Sequence, residues 1–124
     1  ALKYTPPGGR VFVQAIADST IHRPVGAKVR IEVSDDGPGV PMSHRARLFE
    51  RFYRVDPGRS RAQGGTGLGL AIVKHLVTSM GGEVGMESSQ PGGALFWFEL
   101  PCAGEADALS APLEERGSRH AGKL

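Results

Sequence analysis

Cys102 is the one cysteine in 124 residues, so neither an internal disulfide nor a cysteine-based zinc site can form within the chain. Nothing points to an oxidising compartment. Long hydrophobic runs are missing too: with 40% apolar and 23% charged residues the composition is that of a soluble globular domain, and no stretch reaches the roughly 20 apolar residues that cross a bilayer. No direct membrane contact by this chain is expected. Charge of one sign is scarce, since 13 acidic residues face 15 basic ones for a formal net charge of +2, too small an excess to call for nucleic acid. Both common glycine signatures for nucleotides are absent, the G-x-G-x-x-G of dinucleotide folds and the G-x-x-x-x-G-K-[ST] of P-loops.

What remains predicts one folded domain over residues 1–100 and a disordered tail over 101–124, where Ala, Glu, Gly and Ser show no sustained apolar pattern. "ALKYTPPGG" reads as the end of a helix broken by Pro6-Pro7-Gly8-Gly9, and its lack of a helix-start signal suggests a chain cut from a larger protein. "VFVQAIA" (11–17) and "KVRIEVSD" (28–35) read as strands joined by a hairpin connection at "HRPVG" (22–26), and in the second strand Val29, Ile31 and Val33 alternate with Arg30, Glu32 and Ser34. "MSHRARLFERF" (42–52) is expected to be a short helix capped by Ser43, with Ala46, Leu48, Phe49 and Phe52 as its less polar members. The aperiodic residues 54–65 predict a long mobile loop. After Gly67 the period places Ile72, Val73, Leu76, Val77 and Met80 on one side of a helix and Lys74, His75 and Thr78 on the other. Gly81-Gly82 stop that helix, and strands follow at 83–88 and 94–100 with a turn between them. Pairs of adjacent strands separated by helices predict an α+β fold, a two-layer sandwich in which a mixed, mostly antiparallel sheet is covered on one face by helices.

Two glycine clusters carry the chemistry. In "DDGPGV" (35–40), at the end of the best strand, the plain reading is a tight turn. The functional reading makes Asp35 an acceptor for the exocyclic amine of adenine, with Gly37 and Gly39 letting the chain approach a purine beside Val40. In "GGTGLG" (64–69) four glycines precede a helix, where free amides and the positive end of the helix dipole favour phosphate; a flexible linker is the simpler alternative. Between the clusters lie Arg45, Arg47, Arg51, Arg54, Arg59 and Arg61 against Glu50 and Asp56. This set reads first as a solvated face, but Arg54, at the start of the loop, is best placed to fold over a triphosphate.

In order and spacing, "ALKYTPPGG", "DDGPGV", "LFERFYRVD" and "GGTGLGLAIVKHLVTSMGGEVGMES" resemble the catalytic ATP-binding domain of bacterial sensor histidine kinases, over about residues 1–100. "LFERFYR" beside "GTGLGLAIVK" distinguishes that group from the chaperone, topoisomerase and mismatch-repair ATPases of the same fold. The resemblance implies adenine recognition by Asp35, a first glycine box at Gly37 and Gly39, a lid over about 53–65 anchored by Phe49 and Phe52, and phosphates received by Gly65, Thr66, Gly67, Leu68 and Gly69. Lys3 and Arg54 match positions that contact phosphate, and Tyr4 matches an aromatic that flanks adenine.

By the same resemblance the cofactors are ATP and Mg²⁺, and the partners are a histidine-bearing dimerisation domain and a response regulator. The expected setting is the cytoplasmic part of an inner-membrane sensor kinase. The asparagine that holds Mg²⁺ in such kinases would precede Ala1, as would the acidic residue near it, so nucleotide binding by this stretch alone is expected to be weak. No catalytic residue is expected within the chain: His22, His44, His75 and His120 all lack the His-Glu-x-x-Thr-Pro setting of a phosphoacceptor and read as surface or helix-face histidines. A nucleotide-hydrolysing member of the fold and a degenerate binding module are the alternatives.

Overall fold

The computed structural model describes residues 1, 5–17, 26–58, 65–90 and 92–102. Within them lie strand β1 (Val11–Ala17), strand β2 (Lys28–Asp35), helix α1 (Met42–Arg45), helix α2 (Gly69–Ser79), strand β3 (Glu83–Ser88) and strand β4 (Ala94–Pro101). The four strands make one sheet in the order β1-β2-β4-β3. All three described pairings are antiparallel, in keeping with the mostly antiparallel sheet expected. Most of the connection expected at 22–26 and the tail beyond residue 102 lie outside the described residues.

Register explains what each face does, because side chains alternate along a strand and paired residues share a face. Val13 pairs with Val33, Val33 with Phe96, and Phe96 with Met86, which gives an apolar face. Gln14 pairs with Glu32, Glu32 with Trp97, and Trp97 with Gly85, which gives a polar one. On that polar face Glu32 Oε2 accepts a hydrogen bond from Gln14 at 2.6 Å, and Arg30 bridges Glu32 at 2.7 Å and Glu87 at 2.8 Å. The Arg30 guanidinium also lies 4.3 Å from the centre of the Trp97 ring, a cation–π contact. The hydrogen bond from Gln14, supported by Arg30, holds the Glu32 carboxyl below the usual glutamate range against the opposing effect of burial. Hydrogen bonding to Glu87 raises the already high Arg30 pKa.

Helix α2 packs on β3 and β4. It ends as its glycines predict: Gly81 N donates to Thr78 O at 3.0 Å and Gly82 N to Val77 O at 2.9 Å, the paired bonds of a Schellman motif. Of the apolar side expected for this helix only Val77 is buried, at 4% exposure, whereas Ile72, Leu76 and Met80 are each more than half exposed. Geometry accounts for this. One helix is about 10 Å wide and four strands at about 4.8 Å spacing are wider, so α2 covers one side of the apolar face and leaves Val13 on β1 70% exposed.

The short helix also differs from expectation. It stops at Arg45, its N-cap is Pro41 with no side-chain cap bond, and Ser43 lies inside it. Residues 46–51 continue as turns, with Arg47 N bonded to His44 O and Glu50 N to Arg47 O. Tertiary contacts override helix propensity here. Leu48 is drawn inward to 8% exposure, while Phe52 takes a left-handed φ of 64° and its amide donates to Gly67 O at 2.8 Å.

Candidate functional site

The turn after β2 and the start of α2 border one cleft of about 470 Å³, within the size range of small-molecule sites. Asp35, Gly39 and Val40 line it from the first glycine cluster, and Gly65, Thr66, Gly67 and Gly69 from the second. Arg54 lines it between them, with Tyr53 beside it. Gly37 and Leu68 flank these residues in sequence but are not part of the cleft lining. Lys3 and Tyr4 lie outside the described residues, as do Arg59, Arg61 and residues 60–64 of the expected lid. Ala1, the start of the "ALKY" stretch, does line the cleft.

Asp35 is 7% exposed, and its surroundings explain how a buried carboxylate is held. Its Oδ1 accepts from Gly37 N at 2.9 Å and from Ala94 N at 3.4 Å, and Ser89 Oγ donates to its backbone carbonyl at 2.6 Å. Both amides reach the same carboxylate oxygen. Among the described residues no donor reaches Oδ2, so that oxygen keeps the capacity to accept a further hydrogen bond. Ser89, Gly93 and Ala94 are the supports that sequence reading missed. The contact from Asp35 to Ser89 spans 54 residues, and no local pattern announces it.

Glycine is required at two places here. Gly39 has a φ of +70°, and a Cβ on it would come within 2.7 Å of Gly92 O, so the turn after β2 packs backbone to backbone with Gly92 and Gly93. Gly67 has a φ of +73°, and a Cβ on it would sit 2.9 Å from the backbone of Phe52. That approach lets the Phe52 amide reach Gly67 O. Phe52 thus ties the chain after 45 to the second glycine cluster through its backbone, while its ring, expected to anchor the lid, is 70% exposed. Phe49 is half-buried and does not line the cleft, whereas its neighbour Leu48 does.

Helix α2 offers the first-turn amides that any helix leaves without intrahelical partners. It has no acidic residue in its first turn and no side-chain cap, so the positive end of its dipole faces the cleft uncompensated by the helix's own residues. Leu68 N donates to Thr66 Oγ1 at 3.4 Å, which shapes the entry to the helix. Of the arginines, Arg45 is committed to Val40 O at 3.0 Å and Ser88 Oγ at 2.6 Å, and Arg47 to Glu50 at 3.1 Å. Arg54 is half-buried in the cleft wall with no ion pair among the described residues. No group of three candidate metal ligands occurs among the described residues, and no described helix is long and apolar enough to cross a membrane.

An open antiparallel sheet with a helix packed on one face, and a cleft between two glycine turns, make this a two-layer α+β domain. Residues 1–104 match the family described as histidine kinase-, DNA gyrase B- and HSP90-like ATPase, and the chain belongs to it. The sensory/regulatory protein RpfC of Xanthomonas campestris pv. campestris is 54% identical over 76 residues, covering 61% of this chain and 10% of RpfC. The chain therefore spans about a tenth of the length of that relative. Among solved structures, the mycobacterial sensor histidine kinase MprB superposes with a TM-score of 0.61 at 37% identity, covering 80% of this chain and 60% of that one. Full-length ShkA in complex with AMPPNP superposes with a TM-score of 0.55 at 42% identity, covering 74% of this chain and 17% of that one.

Proposed function

We propose that this chain is the ATP-binding catalytic domain of a sensor histidine kinase and that the cleft is its nucleotide site. One observation carries the reading: a buried carboxylate with one open oxygen and the bare start of a helix border the same cavity. Asp35 Oδ2 accepts a hydrogen bond from the adenine amine, Val40 and Leu48 offer apolar surface to the purine, and the first amides of α2, with Gly65, Thr66 and Gly67, receive the phosphates. Arg54 supplies positive charge beside them, with Lys3 and Tyr4 expected at the phosphate and the adenine. The AMPPNP complex of ShkA and the naming of MprB as a sensor histidine kinase support this assignment.

Within a longer protein, the domain positions ATP so that a histidine nitrogen of a dimerisation domain attacks the γ-phosphorus as ADP departs. The phosphoryl group then passes to an aspartate of a response regulator. The domain's contribution is orientation and charge stabilisation, since the acceptor brings the nucleophile. Mg²⁺ belongs to this chemistry, but the described residues gather no cluster of His, Cys, Asp or Glu ligands for it. Titrating the chain with a fluorescent ATP analogue, with and without Mg²⁺, tests the reading. Saturable binding displaced by ATP is expected; its absence at millimolar nucleotide would overturn the assignment, and steady phosphate release by the chain alone would favour a hydrolase.

A further inference from the structure

The cleft wall contains a contact that neither glycine cluster accounts for. Tyr53 lines the cleft immediately before Arg54, and its hydroxyl is hydrogen-bonded to Nδ1 of His44. His44 sits in α1, half-buried, with its ring centre 6.0 Å from that of Tyr53. On another side of the tyrosine, the Arg47 guanidinium lies 4.5 Å from the ring centre and is itself held by Glu50 at 3.1 Å. The backbone adds a third restraint, because Phe52, one residue earlier, is fixed in the left-handed region by its bond to Gly67 O.

Helix α1 is in turn tied to the purine end of the cleft. His44 N donates to Pro41 O at 3.0 Å, and Arg45 Nε donates to Val40 O at 3.0 Å. A continuous path of bonds thus runs from the turn beside Asp35, through Val40 and α1, to the tyrosine that precedes Arg54.

We infer that His44 is a positioning residue for nucleotide binding: by holding the Tyr53 hydroxyl it fixes the Tyr53 ring in the cleft wall and sets where Arg54 meets the phosphates. The inference rests on the nucleotide reading above and deepens it. The contact joins His44 Nδ1 to the Tyr53 hydroxyl, and losing it frees the ring to leave the wall. Because Tyr53 adjoins Arg54 rather than Asp35, the loss falls on the phosphate end of the ligand and spares the adenine end.

Calorimetry with AMPPNP and with AMP, on the parent chain and on His44→Ala, His44→Asn, Tyr53→Phe and the Ala/Phe double variant, tests this. His44→Ala is expected to weaken AMPPNP about three- to tenfold, the span of one neutral hydrogen bond, and AMP less than twofold. His44→Asn, which keeps a hydrogen-bonding group near the same place, should return AMPPNP affinity to within about twofold of the parent. Tyr53→Phe should match His44→Ala, and the double variant should be no weaker than either, because both remove one interaction. Melting curves on the same proteins separate positioning from folding. A lower melting temperature with the AMPPNP-to-AMP affinity ratio unchanged overturns the inference, as do losses that multiply in the double variant. Asp35→Asn serves as the control. If it weakens both nucleotides while His44→Ala weakens neither, only the role of His44 fails; if Asp35→Asn binds both as the parent does, the nucleotide reading fails and this inference with it.

Discussion

Strand β2 carries two buried carboxylates three residues apart, Glu32 at 8% exposure and Asp35 at 7%, and the protein treats them in opposite ways. Glu32, on the polar face, is satisfied by side chains of its own sheet: Gln14 donates to one oxygen and Arg30 to the other, with Arg30 further fixed by Glu87 and Trp97. Asp35, on the other face at the strand's end, is held by backbone amides on one oxygen and meets no cation among the described residues. A carboxylate paired within its sheet contributes to stability and has little capacity left for a ligand. One held by amides with an oxygen to spare keeps that capacity. On the proposed nucleotide reading, the difference separates a carboxylate that serves the sheet from one open to a ligand.

The sharpest way to break this comparison is to neutralise both residues. Asp35→Asn should weaken binding of an ATP analogue by about ten- to a hundredfold, the range for a hydrogen bond to a charged group, and by more than any lid arginine change. Glu32→Gln should leave the same affinity within about twofold. Calorimetry on both variants checks it, and equal effects would erase the distinction. The support of Asp35 can be attacked next. A Cβ at Gly93 would overlap the carbonyl oxygen of Asp35, so Gly93→Ala should destabilise by about 2 kcal/mol, in the range for overpacking. For a domain of this size that lowers the melting temperature by roughly 10 °C.

Arg54 and Arg51 make a smaller contrast within one segment. Arg54 lines the cleft and Arg51 is exposed outside it. Arg54→Ala should therefore lower affinity for a triphosphate analogue about fivefold and leave adenosine binding unchanged, while Arg51→Ala changes neither in the same titration. The smallest effect belongs to Glu32. Its folded pKa lies below the ordinary value of 4.5, so the stability it contributes is present above that value and is lost as pH falls through the lower folded pKa. Melting temperature measured against pH should show a shallower acid limb in Glu32→Gln, with a difference of no more than about 1 kcal/mol near neutral pH.

Local pattern made much of this molecule legible. The alternation in "KVRIEVSD" and the β-branched run "VFVQAIA" delimit β1 and β2 at the observed residues, and Gly81-Gly82 mark the end of α2. The glycine clusters are legible for the same reason, since residue type and spacing are local properties. What could not be read depends on distant contacts. Nothing near Ser43 announces that the helix will stop at Arg45 and that the chain will run on through turns to a bond between Phe52 and Gly67. His44 reads as a surface histidine until Tyr53 is placed against it. The apolar side of α2 is periodic as expected, yet periodicity does not say which part of a sheet one helix covers, and Ile72, Leu76 and Met80 remain exposed.

A crystal structure of the chain with AMPPNP tests the central claim most directly. The account predicts the adenine amine about 2.7–3.2 Å from Asp35 Oδ2, with the phosphates against the amides at the start of α2. An analogue bound with its purine away from Asp35, or seated on another surface while this cleft stays closed, would contradict it.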